Sequence, residues 1–296
     1  MRKLLRIVGR VLLGLVGVIL VVLVAGFIVG EVKLNKKYDV PTSTLIVPTD
    51  SASIARGRVM ATLSGCTGCH ASTLAGQVMA DDPLFGRLAA VNLTRGNGGV
   101  GTTYTDADWE RAIRHGVRRD GTPLFIMPSD EFNQMRDEEL GRLIAYLKSL
   151  PPVDNVLPSG RVGPIGRVAI MVGAPLLTAG KIDHTSHRVV APPPAATVEY
   201  GKYIAGACRF CHGATLAGAK VGGEPGAPPS PPIGATGNPA KWTDEQFIQT
   251  MRTGVTPAGW TLRNQYMPWQ AIGQLSDDEL RGLLMYLKAE PASPTK

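Results

Sequence analysis

Apolar positions along the chain follow three patterns. Val11 to Gly30 is an unbroken run of 20 uncharged residues rich in Val and Leu. After about residue 50 apolar residues recur at helical spacing, interrupted by Gly- and Pro-rich stretches. Between two such regions, Val168 to Gly180 forms a shorter uncharged run of 13 residues.

The first run predicts a membrane-spanning helix. Twenty helical residues at 1.5 Å each reach roughly 30 Å, the thickness of the hydrocarbon core. Arg2, Lys3, Arg6 and Arg10 precede it, which keeps the N-terminus in the cytoplasm. Lys33, Lys36 and Lys37 weaken that asymmetry without reversing it. The competing reading is a cleaved signal peptide, with Val24-Ala25-Gly26 as the cleavage site. Signal peptides carry apolar regions of only about 7–15 residues. An uncleaved anchor over residues 1–30 is therefore expected, with the body exported. A stalk over 31–48, containing Pro41 and Pro48, would span at most about 60 Å when extended.

The body contains one pattern twice, giving expected domains at 49–152 and 197–291, a linker at 153–196 and a tail at 292–296. Each copy opens with a short helical stretch and then reads Cys-x-x-Cys-His: Cys66-Thr67-Gly68-Cys69-His70 and Cys208-Arg209-Phe210-Cys211-His212. Thr73-Leu74-Ala75-Gly76 matches Thr215-Leu216-Ala217-Gly218. A loop leads to a helix capped by Thr105 or Thr243, with acids in its first turn and Gly116 or Gly254 at its end. Met127-Pro128 and Met267-Pro268 follow. The closing helices, Asp137–Leu150 and Asp277–Ala289, carry Leu140, Leu143, Ile144 and Leu147, matched by Leu280, Leu283, Leu284 and Leu287. The linker's uncharged run is too short to cross a bilayer. A helix packed between the domains is expected there, with membrane-surface contact as the second reading.

Cys-x-x-Cys-His is the attachment sequence of c-type haem. Thiols three positions apart on one helical turn reach the two vinyl groups of one macrocycle, and the adjoining His ligates its iron. A zinc site, a thioredoxin-like pair or plain disulfides could use the thiols, but none requires His after both pairs. Two covalent haems are expected, on Cys66 and Cys69 and on Cys208 and Cys211, with His70 and His212 as axial ligands. The repeat sorts the nine Met. Met127 and Met267 occupy equivalent places 57 and 55 residues after their His and are the expected sixth ligands. Met135, Met251 and Met285 read as core or helix-face residues. His115 is a rival first-domain ligand, but its counterpart is Thr253; a surface position at the helix end is expected. His184 and His187 have no repeat partner and read as solvent-exposed.

Charge sharpens the picture. The chain nets +7, but residues 1–37 carry seven basic and one acidic side chain, leaving 24 basic and 23 acidic groups in the body. The excess orients the anchor, and nucleic acid is not an expected partner. With two ionised propionates on each haem, the body would come to about −3.

These motifs resemble the class I cytochrome c superfamily over most of the chain after residue 50. Asn92-Leu93-Thr94, Thr105-Asp106 with Trp109, and Gly121-x-Pro123-Leu124 through Met127-Pro128 are similar to cytochrome subunits of periplasmic sugar and alcohol dehydrogenase complexes. Those subunits typically carry three haems, whereas this chain has two attachment motifs. The resemblance implies an all-α fold of two tandem domains behind a transmembrane helix, with Gly57 and Gly201 allowing close helix approach to Tyr146 and Tyr286. Trp109, Arg118 and Arg119 are candidate propionate contacts.

The expected function is non-enzymatic electron relay. Donors and acceptors would be a dehydrogenase, a quinol-oxidising complex or a terminal oxidase, met at the periplasmic face of a bacterial inner membrane. A permanent subunit of a dehydrogenase or respiratory complex is the alternative. A dihaem peroxidase fits less well, because both domains offer a similarly placed Met.

Overall fold

The computed structural model describes residues 2–41, 45–185, 190–220 and 228–290. The chain is mostly helical. It opens on α1 (Arg2–Leu34), whose Leu, Val and Ile side chains form an exposed apolar sleeve long enough to cross a membrane. The first repeat follows as α2 (Ser51–Leu63), α3 (Cys66–His70), β1 (Gln77–Asp82), β2 (Gly86–Ala90), α4 (Asp106–His115), α5 (Ser129–Phe132) and α6 (Asp137–Ser149). The linker holds β3 (Arg161–Val162) and α7 (Pro164–Met171). The second repeat supplies α8 (Val198–His212), α9 (Asp244–Thr253), α10 (Trp269–Ile272) and α11 (Asp277–Ala289).

Local signals act as the sequence requires. Thr105 and Thr243 each close a capping box, with Asp108 and Gln246 reaching back, and Gly116 and Gly254 end their helices in the left-handed conformation. The all-α expectation gives way to a small antiparallel sheet in the order β1-β2-β3. Gln77 pairs with Ala90, and the register shifts between Val78 and Ala80. Residues 78–81 are exposed on both faces, so the strand lacks the alternation that announces one. Among the described residues of the second repeat, a bridge joins Ala219 to Ser230.

Contacts divide the chain into two compact units, residues 1–45, 69–133 and 150–188 in one and 46–68, 134–149 and 189–296 in the other. In the first, α7 packs on α1 rather than between haem domains: Val168 lies against Gly26 and Arg167 against Gly30. Gly26 and Gly30 are four apart on one face, and small residues at that spacing let helix backbones approach. The stalk is not a free tether. Tyr38 N–H donates to Gly121 O at 3.0 Å, and the Tyr38 ring lies tilted against that of His184, centroids 5.2 Å apart. His184, expected to be exposed, is half-buried. His115, expected at the surface, is buried, with its Nδ1 3.1 Å from that of His184. At that separation one imidazole donates and the other accepts. His187 and residues 292–296 lie outside the described residues.

The core of the second unit centres on Tyr200, Leu216, Phe247, Leu280 and Leu284, with Val59 of α2 joining it. Here the terminal helices of both repeats meet around two equivalent glutamates. Glu279 accepts from Tyr200 Oη at 2.6 Å and pairs with Arg56. Glu139 accepts from Tyr203 Oη at 3.0 Å, and its Oε1 is buried without a hydrogen-bond partner. Burial raises both carboxyls, but at Glu279 the Arg56 and Tyr200 hydrogen bonds outweigh it and hold the pKa below the ordinary value. At Glu139 burial prevails and the pKa is raised.

The linkage signs are therefore opposite. The Glu279 contribution is present above the ordinary Glu range and is lost as pH falls through the lowered value. Glu139 favours folding in its protonated form, an advantage lost as pH rises from the ordinary value through the raised one. Glu279→Gln is expected to destabilise at pH 7 by about 2 kcal/mol, because it strands Arg56. Glu139→Gln should be neutral or stabilising there. Urea melts of both variants at pH 7 check the contrast.

Candidate haem-binding sites

Each Cys-x-x-Cys-His motif folds as helix, placing its two thiols one turn apart. In the first repeat Gly65, at φ 69°, separates α2 from the five-residue α3. In the second, α8 runs unbroken from Val198 through His212. All four thiols are half-buried, and none is joined in a disulfide. Burial pushes the Cys208 thiol up to about 11 and raises that of Cys69. A thioredoxin-like nucleophile needs the opposite shift. Among the described residues no three His, Cys, Asp or Glu side chains converge as a cation site.

The histidines are held alike. His70 Nδ1 lies 2.8 Å from Val91 O, and His212 Nδ1 lies 2.7 Å from Pro231 O. A carbonyl can only accept, so Nδ1 carries the proton and the Nε2 lone pair is left to ligate. Burial lowers both pKa values, favouring the neutral ring that a metal requires.

The Thr-Leu-Ala-Gly segments build the acceptor side. Leu74 and Leu216 sit at φ 59° and 55°, followed by Gly76 and Gly218 at 79° and 92°. Both leucines are fully buried, which offsets part of the left-handed cost of about 1–2 kcal/mol. Leu93 N–H donates to Leu74 O and Ile233 N–H to Leu216 O, each at 2.9 Å. These bonds position the strand whose carbonyl, two residues earlier, fixes the histidine. Asn92 and Thr94, both buried, bond Val153 O at 2.7 and 3.1 Å and tie the linker's start to the same loop.

Met127 and Met267 are half-buried, each just before a short helix. Met267 and Cys208 pack against the same buried cluster. Met127 follows Ile126 at φ 64°, an outlier for a β-branched residue costing about 1–3 kcal/mol. Ile126 N–H bonds Leu176 O at 2.8 Å, and Thr178 Oγ1 donates to Met127 O at 2.7 Å. The linker thus braces the Met127 loop, a role that its sequence does not signal. In the second repeat Trp269 serves instead: its Nε1 donates to Leu262 O at 3.1 Å and its ring abuts Gly254. Met135 and Met251 are buried in the core, as their helical spacing implies, and Met285 faces solvent.

Of the candidate propionate contacts, Trp109 is 2% exposed and its Nε1 has no hydrogen-bond partner. Arg118 donates to Pro123 O within its own loop, and Arg119 reaches Thr103 O at 3.3 Å and Asp108 at 3.7 Å, tying that loop to the N-terminal end of α4. Phe247 stands where the second repeat would have the tryptophan, so that donor belongs to the first domain alone.

Residues 54–151 match the family described as Cytochrome c, and residues 196–287 match Cytochrome C oxidase, cbb3-type, subunit III. The fructose dehydrogenase cytochrome subunit of Gluconobacter japonicus is 27% identical over 85% of this chain and 55% of its own length. The cytochrome c subunit of the quinone alcohol dehydrogenase of Gluconobacter oxydans is 27% identical over 83% of the chain and 56% of itself. A subunit of the nicotinate dehydrogenase of Pseudomonas putida is also 27% identical, over 82% of the chain but 22% of itself. The chain thus spans about half the length of two of these relatives and about a fifth of the third.

Proposed function

Because this chain belongs to the class I cytochrome c superfamily, with two such domains and two c-type haems in one polypeptide, we propose that it relays electrons as a membrane-anchored dihaem cytochrome. The observation that carries the reading is the twice-built histidine, its Nδ1 tied to a backbone carbonyl beside a half-buried pair of thiols.

When bound, each haem supplies a one-electron iron couple. The chain supplies the rest. Cys66 and Cys69, and Cys208 and Cys211, would form the thioethers. His70 and His212 would offer Nε2 to the iron, oriented and made more basic by their carbonyl bonds. Met127 and Met267 would offer thioether sulfur, which would favour the reduced iron and raise the potential. Trp109 Nε1, a buried donor lacking an acceptor, suits a propionate carboxylate in the first domain.

The anchor reading rests on the apolar sleeve of α1 and on its last turns. Those turns form a packing surface for α7, which a discarded leader would not need. It places the domains in the periplasm, on a bacterial inner membrane. The relatives' names favour a dehydrogenase as donor and a lasting subunit arrangement. A quinol-oxidising complex or a terminal oxidase is the alternative partner.

Extraction from native membrane in mild detergent tests the proposal. The expected product has two low-spin haems per chain, an intact N-terminus and a co-purifying dehydrogenase subunit. Rapid peroxide turnover, or a high-spin haem in the isolated reduced protein, would replace electron relay with a peroxidase. A stable lone cytochrome would remove the subunit arrangement.

A further inference from the structure

The outer end of α1 carries more than a tether. Val168 sits on Gly26 and Arg167 on Gly30, the final turn of the uncharged run Val11–Gly30. Lys33 Nζ donates to Ile170 O at 3.0 Å, Arg167 pairs with Glu31 at 3.0 Å, and the Arg167 guanidinium lies 5.0 Å from the Phe27 ring centroid. These contacts fix α7 against the span where apolar residues give way to charged ones. Four helical residues rise about 6 Å, so Gly26 and the Val168 resting on it lie that far inside the border set by Gly30.

The β1–β2 turn is fixed to the same place. Ile165 N–H donates to Leu84 O at 3.0 Å and Gly163 N–H to Phe85 O at 2.9 Å, both at the start of α7. Asp82 Oδ1 accepts from Leu84 N–H and Phe85 N–H at 2.8 Å, holding the tip rigid. Yet apolar side chains at both ends of α7 are exposed: Leu84 by 53% and Phe85 by 61% at the turn that meets its start, and Val172 by 73% at its C-terminal end. Ordered backbone presenting large apolar side chains beside a membrane helix suits contact with an apolar phase.

We propose that α7 and the Leu84–Phe85 turn form a second membrane contact, seated in the headgroup–acyl boundary of the leaflet from which α1 emerges. The depth of about 6 Å falls in the roughly 5–10 Å range at which interfacial helices bury their apolar face. The ligand is the lipid surface itself. The Gly26–Gly30 face, of a kind that pairs helices between chains, is occupied here by α7. The unit bearing His70 and Met127 is thereby held at a fixed height above the bilayer instead of swinging on its stalk. This rests on α1 being a retained anchor.

The test uses the full-length haem-loaded protein in vesicles of phosphatidylcholine and phosphatidylglycerol. Haem attachment consumes the four native thiols, so a nitroxide can be placed singly through Val172→Cys, Phe85→Cys or Val16→Cys. Access to dissolved oxygen and to a water-soluble nickel chelate is then read by power saturation. At Val172 and Phe85 the expected shift is towards oxygen, with loss of nickel access relative to the same label in water. A label covered by protein loses both, and a label in water keeps both. Either result at these two sites, with Val16 in lipid, overturns the second contact and leaves the anchor standing. Water-like behaviour at Val16 as well removes the anchor and this proposal with it.

Discussion

Met267→Ala is expected to lower the reduction potential of the second haem by about 100 mV or more, a modest part of the roughly 0.8 V range that axial ligands command. The first haem should keep its potential, and both should remain covalently attached, since the proposed attachment is through Cys208, Cys211 and their counterparts. Met267 is only partly buried at the edge of a cluster that other side chains fill, so removing its sulfur leaves the fold in place. Met127→Ala should mirror the effect in the first domain. Its backbone is held independently by Thr178 and by the Ile126 bond to Leu176, so the loop survives truncation of the side chain. Spectroelectrochemical titration of each variant resolves the two couples. An unchanged potential and an unchanged reduced spectrum in both would show that these methionines are not ligands.

Gly201→Val is expected to destabilise the second domain by at least about 4 kcal/mol, at the upper end for single substitutions. A Cβ on Gly201 would collide with the carbonyl of Gly282 and come within 2.9 Å of Tyr286 Cβ. Both obstacles belong to α11, and two packed helix backbones cannot yield as a flexible side chain can. Gly57→Val meets the same obstacle at Arg142 O, with Tyr146 Cβ at 2.8 Å. Gly206 is the internal control. It lies in the same helix as Gly201, and a Cβ added there would meet nothing within 4 Å. Gly206→Ala should therefore stabilise by about 1 kcal/mol through helix propensity. Denaturant melts, with the haem-to-protein ratio of each purified variant, separate the three. If Gly201→Val melts like the parent, the close crossing of α8 and α11 is wrong.

The chemistry is legible in the sequence because it is local. Two thiols and an imidazole within five residues need only one helical turn to be arranged, and the duplication compares each candidate with a counterpart. His115 aligns with Thr253 in the repeat, whereas Met127 aligns with Met267. The glycines of the crossings are legible through the resemblance, by their offset from the motifs. Illegible are features in which the partner is remote. No local pattern marks Val91 and Pro231 as the acceptors for the two histidines, since any residue offers a carbonyl. The β1 strand carries no alternation, because neither face is buried. His184 reads as solvent-exposed because Tyr38 and His115, which lie against it, are far away along the chain.

The sequence by itself determined what must be covalent or periodic: two haem attachment motifs, amphipathic closing helices, capped turns and one apolar run long enough to span a bilayer. Such features are decided within a few residues, by bond geometry and helical repeat. Only the tertiary structure decided which neighbours hold those parts. It put α7 on Gly26 and Gly30, Thr178 behind Met127, and Arg56 and Tyr203 on the two glutamates of the repeat. These pairings join residues far apart in sequence, through packing and hydrogen bonds that become specific only once the backbone has closed around them.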